Sequence, residues 1–228
     1  MAQEKKIIHI GQIGCGTVGS GVISILRDNA EVISRRTGCE IRLKSVAVKD
    51  LADPRYVEVP ESMLTTDAAA VLRDPEVDIV VEVMGGVEPA RAFILEALAA
   101  GKHVVCANKE LMSTHGGEIL EAAEEAGVDV AYEASVGGGI PILLPLKQSL
   151  AGNRIEQILG IVNGTTNYAL TRMSEEGLSF DQAISRAQSL GYAEADPSAD
   201  VQGKDAAAKL AILASMAFNS RVTQDDVY

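Results

Sequence analysis

One segment near the end of the chain carries an acid and a base at helical spacing. Asp205 and Lys209 are separated by three alanines, so they would share one face of a helix. The segment before them adds two more carboxylates, Glu194 and Asp200. A lysine among carboxylates can donate a proton, and a carboxylate can bind an ammonium group. The alternative is an ordinary solvated ion pair, worth roughly a few tenths of a kcal/mol.

A glycine-rich turn near the start of the chain has the spacing of a dinucleotide-binding motif. Its sequence is GCGTVG, with glycines at Gly14, Gly16 and Gly19. The first glycine permits a tight turn, the second lets the backbone approach a pyrophosphate, and the third lets a helix pack closely on a sheet. Such turns also occur purely for packing. Strand-like residues before it and helix-like residues after it favour cofactor binding here.

The residues after the second expected strand bear on the choice of cofactor. The sequence VAVKD ends in Lys49 and Asp50. An acid at this place would bind the ribose hydroxyls of NAD, whereas a cation would accept the 2′-phosphate of NADP. We predict NADP, with NAD as the alternative, through Lys49. A solvated charge pair at a strand end is the other interpretation.

These candidate residues are positioned by alternating strand-like and helix-like segments, which predict right-handed βαβ units and a doubly wound, mainly parallel sheet. Strands are expected at residues 6–13, 42–48, 77–84, 103–107 and 128–134, and helices at 18–29, 89–100 and 113–126. The later residues predict helices at 142–150, 168–176, 180–190 and 204–218, with one strand at 155–162.

Ligands of open parallel sheets bind beyond the carboxyl ends of the strands. Gly85 follows one such strand, Lys109 follows another, and residues 135–139 follow a third. Glycine lets a planar cofactor approach the backbone. Lys109 could therefore face both the nicotinamide and the substrate. Its alternative is a surface lysine that begins a helix.

Composition limits the class of protein. The chain has 228 residues, of which 47% are hydrophobic and 23% charged, as in a folded globular protein. A formal net charge of −12 argues against a nucleic-acid or anionic-membrane partner. The three cysteines are widely spaced, and this pattern favours reduced thiols in a cytosol. With no apolar run near the roughly 20 residues of a membrane span, we expect a cytoplasmic protein.

Several motifs together resemble the homoserine dehydrogenase family. Residues 187–209, AQSLGYAEADPSADVQGKDAAAK, are similar to the signature of that family over nearly their whole length. The motifs GCGTVG, NKE (108–110), YEASVGGGIPI (132–142) and GIVNGTTNY (160–168) occur in the expected order. The resemblance therefore covers almost the whole chain.

This resemblance implies a reversible hydride transfer between NAD(P)H and L-aspartate 4-semialdehyde, which gives L-homoserine on the route to threonine, isoleucine and methionine. By resemblance, Lys209 is the catalytic proton donor and Lys109 its partner near the substrate oxygen. Glu194 and Asp205 match positions that bind the amino-acid substrate, and Asp200 adds a further carboxylate.

The resemblance also implies cofactor and cation contacts. Cys15, Thr17 and Val18 match the loop that touches the pyrophosphate, and Gly191 matches a backbone contact to the cofactor. The family binds a structural monovalent cation, usually Na⁺. Its ligands here would be the residues matching that site, namely the side chain of Glu133 and the backbone carbonyls of Val136, Gly138 and Ile140.

The catalytic region of the family is longer than this chain. We therefore expect an α/β protein with a Rossmann-type NAD(P)-binding domain at residues 1–132, followed by an incomplete α+β substrate-binding and catalytic domain at 133–228. The full-length protein is expected to be a homodimer or a higher homo-oligomer. Part of its dimer surface would be missing from these residues.

Two other functions were weighed against this expectation. An aspartate-semialdehyde dehydrogenase would need a cysteine nucleophile beside a base. Cys106 lies in an apolar strand and Cys15 in the glycine-rich turn, so neither fits that role. A redox-sensing regulator would explain residues 1–132 but would leave Asp205 and Lys209 without a role, and the chain lacks the basic surface of a DNA-binding protein.

Overall fold

The computed structural model describes residues 6–193 and 196–228. The chain divides into two compact units, Met1–Ser135 and Val136–Tyr228. This division falls three residues after the boundary expected between residues 132 and 133. The assignment of the two units to a cofactor-binding and a catalytic domain stays a prediction. Each unit is described by itself.

The first unit is built on a six-stranded parallel sheet with the strand order β3-β2-β1-β4-β5-β6. The order reverses between β1 and β4, which lie next to each other at the centre. This arrangement confirms the expected doubly wound α/β sheet. The strands are β1 (Ile7–Ile13), β2 (Glu40–Ala47), β3 (Leu64–Thr65), β4 (Ile79–Glu82), β5 (His103–Cys106) and β6 (Val130–Ala131).

Helices connect these strands in the βαβ manner. They are α1 (Thr17–Asp28), α2 (Ala30–Thr37), α3 (Ala68–Leu72), α4 (Ala90–Ala99) and α5 (Lys109–Ala126), with short 3₁₀ turns at Glu61–Met63 and Glu133–Ser135. Of these elements, α2, α3 and β3 were not predicted from the sequence. Strand β3 has two residues and helix α3 has five, which is too few for a hydrophobic period to be visible in the sequence.

Apolar residues of the central strands and covering helices form the core of the first unit. Val80 and Val104 of the sheet are fully buried, as are Ile94 of α4 and Ile119 of α5. Strands covered by helices on both faces read as nearly continuous apolar runs, which explains the VDIVVEVM segment. Because the core fixes β1, β4 and β5, the turns at their carboxyl ends are also fixed.

The regular elements among the described residues of the second unit are all helical. Its elements are a π-helical turn (Pro145–Ser149), α6 (Gly164–Glu176), α7 (Phe180–Ser189), α8 (Ser198–Val201), α9 (Lys204–Phe218) and a 3₁₀ turn (Gln224–Asp226). Each of α6 and α7 begins at a polar cap, Asn163 and Ser179 respectively. They pack on each other through Ala169, Ala183 and Ile184.

The strand expected at residues 155–162 is wrong for this structure. Those residues belong to no strand, and the second unit has no strand among its described residues. A β-strand depends on hydrogen bonds to a neighbouring strand, so an apolar, extended segment without such a neighbour forms no ladder. No helix of the described residues combines the length and the apolarity that crossing a membrane requires.

Candidate active site

A cavity of about 570 Å³ in the second unit lies among α6, α8 and α9. Its lining is mostly polar and includes Asn163, Thr165, Tyr192, Asp200, Asp205 and Lys209. Of the four site residues predicted from spacing in this region, three line one cavity. The fourth, Glu194, lies outside the described residues.

Lys209 and Asp205 form a largely buried ion pair on α9. Lys209 Nζ donates to Asp205 Oδ2 at 2.6 Å and to the carbonyl oxygen of Val162 at 2.7 Å. The side chains are 19% and 7% exposed, respectively. Lys209 and Asp205 are therefore not the solvated surface ion pair that the sequence left as an alternative.

Asn163 connects the acidic residues, and the sequence analysis did not assign it a role. Its Nδ2 group donates to Asp200 Oδ1 at 2.7 Å and to Asp205 Oδ2 at 2.8 Å. Its Oδ1 atom accepts from the backbone N–H of Thr166 at 2.8 Å and so caps α6. One amide thus fixes two carboxylates and the start of a helix. An asparagine ahead of a helical segment is a signal for the cap alone, and here α6 begins at Gly164, four residues before the expected start.

Two tyrosines form another wall of this cavity. The rings of Tyr168 and Tyr192 lie 5.0 Å apart, and the guanidinium of Arg172 lies 5.7 Å from the Tyr168 ring centre. Thr165 Oγ1 donates to the carbonyl oxygen of Tyr192 at 2.8 Å. Gly191, the predicted cofactor contact, has a φ of 77° and follows the end of α7, where its N–H bonds the Gln188 carbonyl at 3.0 Å. It does not line the cavity.

A second cavity, of about 840 Å³, lies at the carboxyl ends of β1, β2 and β4 in the first unit. Gly14, Cys15, Gly16, Thr17 and Lys49 of the predicted cofactor site line it. This is the edge at which parallel sheets bind ligands, at the point where the strand order reverses. The position agrees with the sequence interpretation of the glycine-rich turn.

The two outer glycines of this turn are required by close backbone contacts. Gly14 has a φ of 99°, and a β-carbon there would lie 2.7 Å from the carbonyl oxygen of Val83. A β-carbon at Gly19 would lie 2.5 Å from the carbonyl oxygen of Gly14. Gly16 has no atom near its missing β-carbon and caps the start of α1. That free space next to a helix N-terminus suits a phosphate group.

Three further predicted residues of the first unit, Val18, Gly85 and Lys109, do not line this cavity. Val18 is half-exposed on α1, and Gly85 follows β4 with a φ of 76°. Lys109 is the first residue of α5, and Asn108 Oδ1 caps this helix by accepting from Leu111 N at 3.1 Å. Lys109 therefore begins a helix, which was the alternative to a role in the site. It also follows β5 at the edge of the sheet where ligands bind in such folds, so both alternatives stay open.

The cation ligands that the resemblance implies are divided between the units. Glu133 begins a 3₁₀ turn in the first unit. Val136, Gly138 and Ile140 belong to the second unit, in a turn where Ile140 N donates to the Gly137 carbonyl at 2.7 Å. Among the described residues there is no cluster of three acidic, histidine or cysteine side chains that could hold a metal.

Neither buried cysteine is a candidate nucleophile. Burial, together with the nearby Glu82 carboxylate, raises the pKa of the Cys106 thiol far above its ordinary range. Cys15 packs in an apolar cluster with Ile23 and Val46. These surroundings agree with the sequence argument against thiol catalysis.

Comparisons with known proteins agree with this geometry. The family model described as "Homoserine dehydrogenase, NAD binding domain" matches residues 14–133, and the model "Homoserine dehydrogenase" matches residues 141–228. The chain belongs to the homoserine dehydrogenase family.

Individual relatives of this family support the assignment. A homoserine dehydrogenase from Synechocystis is 56% identical over 220 residues, which cover 96% of this chain and 50% of the relative. The crystal structure of a homoserine dehydrogenase from Thiobacillus denitrificans has a TM-score of 0.87 at 46% identity and covers 98% of this chain and 55% of its own. The chain thus spans about half the length of these relatives.

A more distant member is described as a hyperthermophilic archaeal homoserine dehydrogenase in complex with NADPH. It has a TM-score of 0.78 at 27% identity, over 97% of this chain and 75% of its own. The fold of this family member is therefore retained at low identity.

Proposed function

We propose that this chain carries the cofactor-binding and catalytic parts of an NAD(P)-dependent homoserine dehydrogenase. The reaction is a reversible hydride transfer between L-homoserine and L-aspartate 4-semialdehyde. The observation that carries the proposal is the hydrogen-bonded set Lys209, Asp205, Asn163 and Asp200 around one polar cavity. A dinucleotide-binding module alone would have no use for it.

The residues of this cavity suit a small amino acid with a hydroxyl or aldehyde carbon. Lys209 Nζ can donate a proton to the alkoxide oxygen that develops as the aldehyde is reduced. In the reverse direction, the same nitrogen without that proton accepts the proton of the homoserine hydroxyl as the hydride leaves. Asp200 and Asp205, with Glu194 by resemblance, supply carboxylates for the α-ammonium group. Asn163 keeps the two aspartates in place with its amide.

The nicotinamide cofactor, when bound, supplies or accepts the hydride. Gly14, Gly16 and the N-terminus of α1 would hold its pyrophosphate, because their backbone borders the cavity and leaves room for phosphate oxygens. By resemblance, Cys15, Thr17, Val18 and Gly191 add cofactor contacts, and Lys109 lies near the substrate oxygen.

NADP is the proposed cofactor, with NAD as the alternative. Lys49 lines the cofactor cavity together with Arg55, whose guanidinium donates to the carbonyl oxygens of Leu51 and Asp50 at 3.0 and 2.9 Å. These two cations favour a 2′-phosphate, whereas Asp50, which lines the same cavity, is the residue that would bind the ribose of NAD. The archaeal family member solved with NADPH supports the same choice.

The cofactor choice is tested with Lys49→Ala. We expect the KM for NADP to rise about tenfold, since a charge-assisted hydrogen bond to phosphate is lost, while the KM for NAD stays unchanged. Initial rates with both cofactors measure this, and NAD serves as the internal control. An equal rise for both cofactors would assign Lys49 to another role.

A structural monovalent cation, supplied as Na⁺ in assays, belongs to the proposal by resemblance. Glu133 with the carbonyls of Val136, Gly138 and Ile140 is a donor set of hard oxygens, which suits Na⁺. Homo-oligomerisation of the full-length protein, its place in threonine, isoleucine and methionine synthesis, and a cytoplasmic location are also proposals.

The deciding experiment gives the full-length protein L-homoserine and follows reduction of NADP, with NAD in parallel and NaCl present. We expect homoserine-dependent formation of NADPH. L-threonine, which has the same heteroatoms but a secondary alcohol, is the matched control substrate. Dinucleotide binding without reduction of either cofactor would contradict the proposal and would favour a redox-sensing regulator.

A further inference from the structure

Glu82 is a buried carboxyl group inside an otherwise apolar strand. It ends β4, is fully buried, and lies opposite Ile13 of β1 in the parallel register. Burying a carboxylate costs about several kcal/mol of folding free energy unless hydrogen bonds compensate for the lost contact with water. The proposed hydride transfer uses no group at this position. Its partners therefore indicate what the side chain does.

The hydrogen bonds of Glu82 point to the backbone of the loop that follows it. Glu82 Oε1 accepts from the N–H groups of Met84 and Gly85, at 2.9 and 3.3 Å. Glu82 Oε2 accepts from Cys106 Sγ of β5, at 3.2 Å. A carboxylate can only accept hydrogen bonds, and each of these three partners is a donor. The side chain of Glu82 thus satisfies two backbone N–H groups and one thiol.

Cys106 completes this arrangement as a hydrogen-bond donor. It is fully buried, and its raised pKa keeps the thiol protonated at neutral pH. Its sulfur also accepts from the N–H of Asn108 at 3.3 Å. Asn108 in turn donates from Nδ2 to the Gly86 carbonyl at 2.6 Å. The loop of residues 84–86 is thus held at one end by Glu82 and at the other by Asn108.

This loop forms part of the cofactor cavity. Val83 and Met84 line it together with Gly14, and Gly14 packs directly on the Val83 carbonyl. A shift of the loop would therefore move one wall of the cavity against the glycine-rich turn. Asn108 also caps α5 immediately before Lys109, so the same hydrogen bonds reach the start of that helix.

We propose that Glu82, with the Cys106 thiol as its donor, is a positioning residue that sets the 84–86 loop for dinucleotide binding. The inference rests on the proposed function only in that a dinucleotide occupies this cavity. Glu82 itself touches neither cofactor nor substrate in this proposal. Its effect passes through the backbone N–H groups of Met84 and Gly85.

The test compares Glu82→Ala with Val80→Ala in the full-length protein. Both residues lie on β4 and are fully buried, and only Glu82 bonds the loop. NADPH affinity is measured by fluorescence titration well below the melting temperature of each variant. We expect the Kd to rise about tenfold or more in Glu82→Ala, because two N–H groups lose their partner, and less than about twofold in Val80→Ala.

Two conservative variants separate positioning from general destabilisation. Cys106→Ser keeps a donor toward Glu82 and is expected to bind NADPH within about twofold of the wild type, whereas Cys106→Ala is expected to weaken binding several-fold. If Glu82→Ala does not fold, the two Cys106 variants test the proposal without it. Equal NADPH affinities in Cys106→Ala, Cys106→Ser and Val80→Ala would overturn the proposal.

The titration needs no turnover, so it separates this inference from the proposed reaction. A protein that binds NADPH in the expected variant order but does not oxidise homoserine would contradict the reaction and support the positioning role. Normal homoserine oxidation with unchanged NADPH affinity in Glu82→Ala would support the reaction and overturn the positioning role.

Discussion

The cofactor cavity of the first unit is shaped mainly by backbone, whereas the cavity of the second unit is lined by side chains that bond one another. Gly14 and Gly19 matter because they lack a β-carbon, and Gly16 because it leaves space. Asp205, Lys209 and Asn163 matter because of the donors and acceptors that they carry. Removing a side-chain donor or acceptor should therefore impair the second site, and adding a β-carbon at a glycine should impair the first.

The two sites also differ in how their charge is managed. In the first cavity, the positive charge available to a ligand comes from the N-terminus of α1 and from Lys49, which is exposed to solvent. The second keeps Asp205 largely buried and opposite Lys209. A buried ion pair is sensitive to loss of one partner, because the other is left uncompensated. The second site should therefore respond more strongly to single substitutions.

The largest effect is expected from Lys209→Ala. Loss of the proposed acid–base group should lower kcat for homoserine oxidation by about 10²- to 10⁴-fold, while the Kd for NADPH stays near that of the wild type. Steady-state rates and a fluorescence titration measure the two quantities. Lys204→Ala, an exposed lysine on the same helix, is the control and should keep wild-type rates. A Lys209→Ala enzyme with comparable kcat would remove Lys209 from the chemistry.

Adding a methyl group tests the backbone-built site. Gly19→Ala would bring a β-carbon against the Gly14 carbonyl and should lower the free energy of unfolding by about 1–3 kcal/mol. Gly16→Ala meets no protein atom, so it should keep the stability of the wild type and weaken NADPH binding. Thermal melting and NADPH titration distinguish the two. If Gly16→Ala bound NADPH normally, the pyrophosphate would have to lie elsewhere.

Two helix caps of the second unit give a matched comparison. Asn163→Ala and Ser179→Ala each remove a side-chain cap, of α6 and α7, and each should cost about 1 kcal/mol of stability. Only Asn163 also bonds Asp200 and Asp205. We therefore expect a raised KM for homoserine in Asn163→Ala alone, measured at saturating cofactor. A similar KM in both variants would limit Asn163 to capping.

The sequence predicted the parts of these sites that depend on local geometry. Glycines at 14, 16 and 19 follow from the demands of one turn, and Asp205 with Lys209 follows from the period of one helix. The long family signature then assigned the reaction. Each of these signals lies within a few residues of its own position.

The parts that the sequence missed depend on distant contacts. Asn163 joins carboxylates 37 and 42 residues away, and Glu82 bonds a thiol 24 residues away. Residues 155–162 have an apolar strand pattern, yet a ladder needs a neighbouring strand that no local pattern can supply. The residues that hold a site in place are thus harder to predict than those that form its surface.

The smallest predicted effect concerns the pH dependence of stability. Because the folded-state pKa of Cys106 is raised from its ordinary value of 9.0, its thiol stays protonated in the folded chain at a pH where the unfolded chain loses the proton. The stability that this proton represents is complete below pH 9 and is lost as the pH rises beyond it. Between pH 8 and 9.5, the wild type should lose stability, on the order of 1 kcal/mol or less, relative to Cys106→Ser, which does not titrate there.

Urea unfolding at the two pH values measures this difference. Val104→Ala, which removes buried volume from the same strand without changing a titrating group, should keep a constant difference from the wild type. A constant difference for Cys106→Ser as well would mean that the thiol titrates alike in the folded and unfolded chain. Its proton would then not be held against Glu82, and the 84–86 loop would depend on the carboxylate and on Asn108 alone.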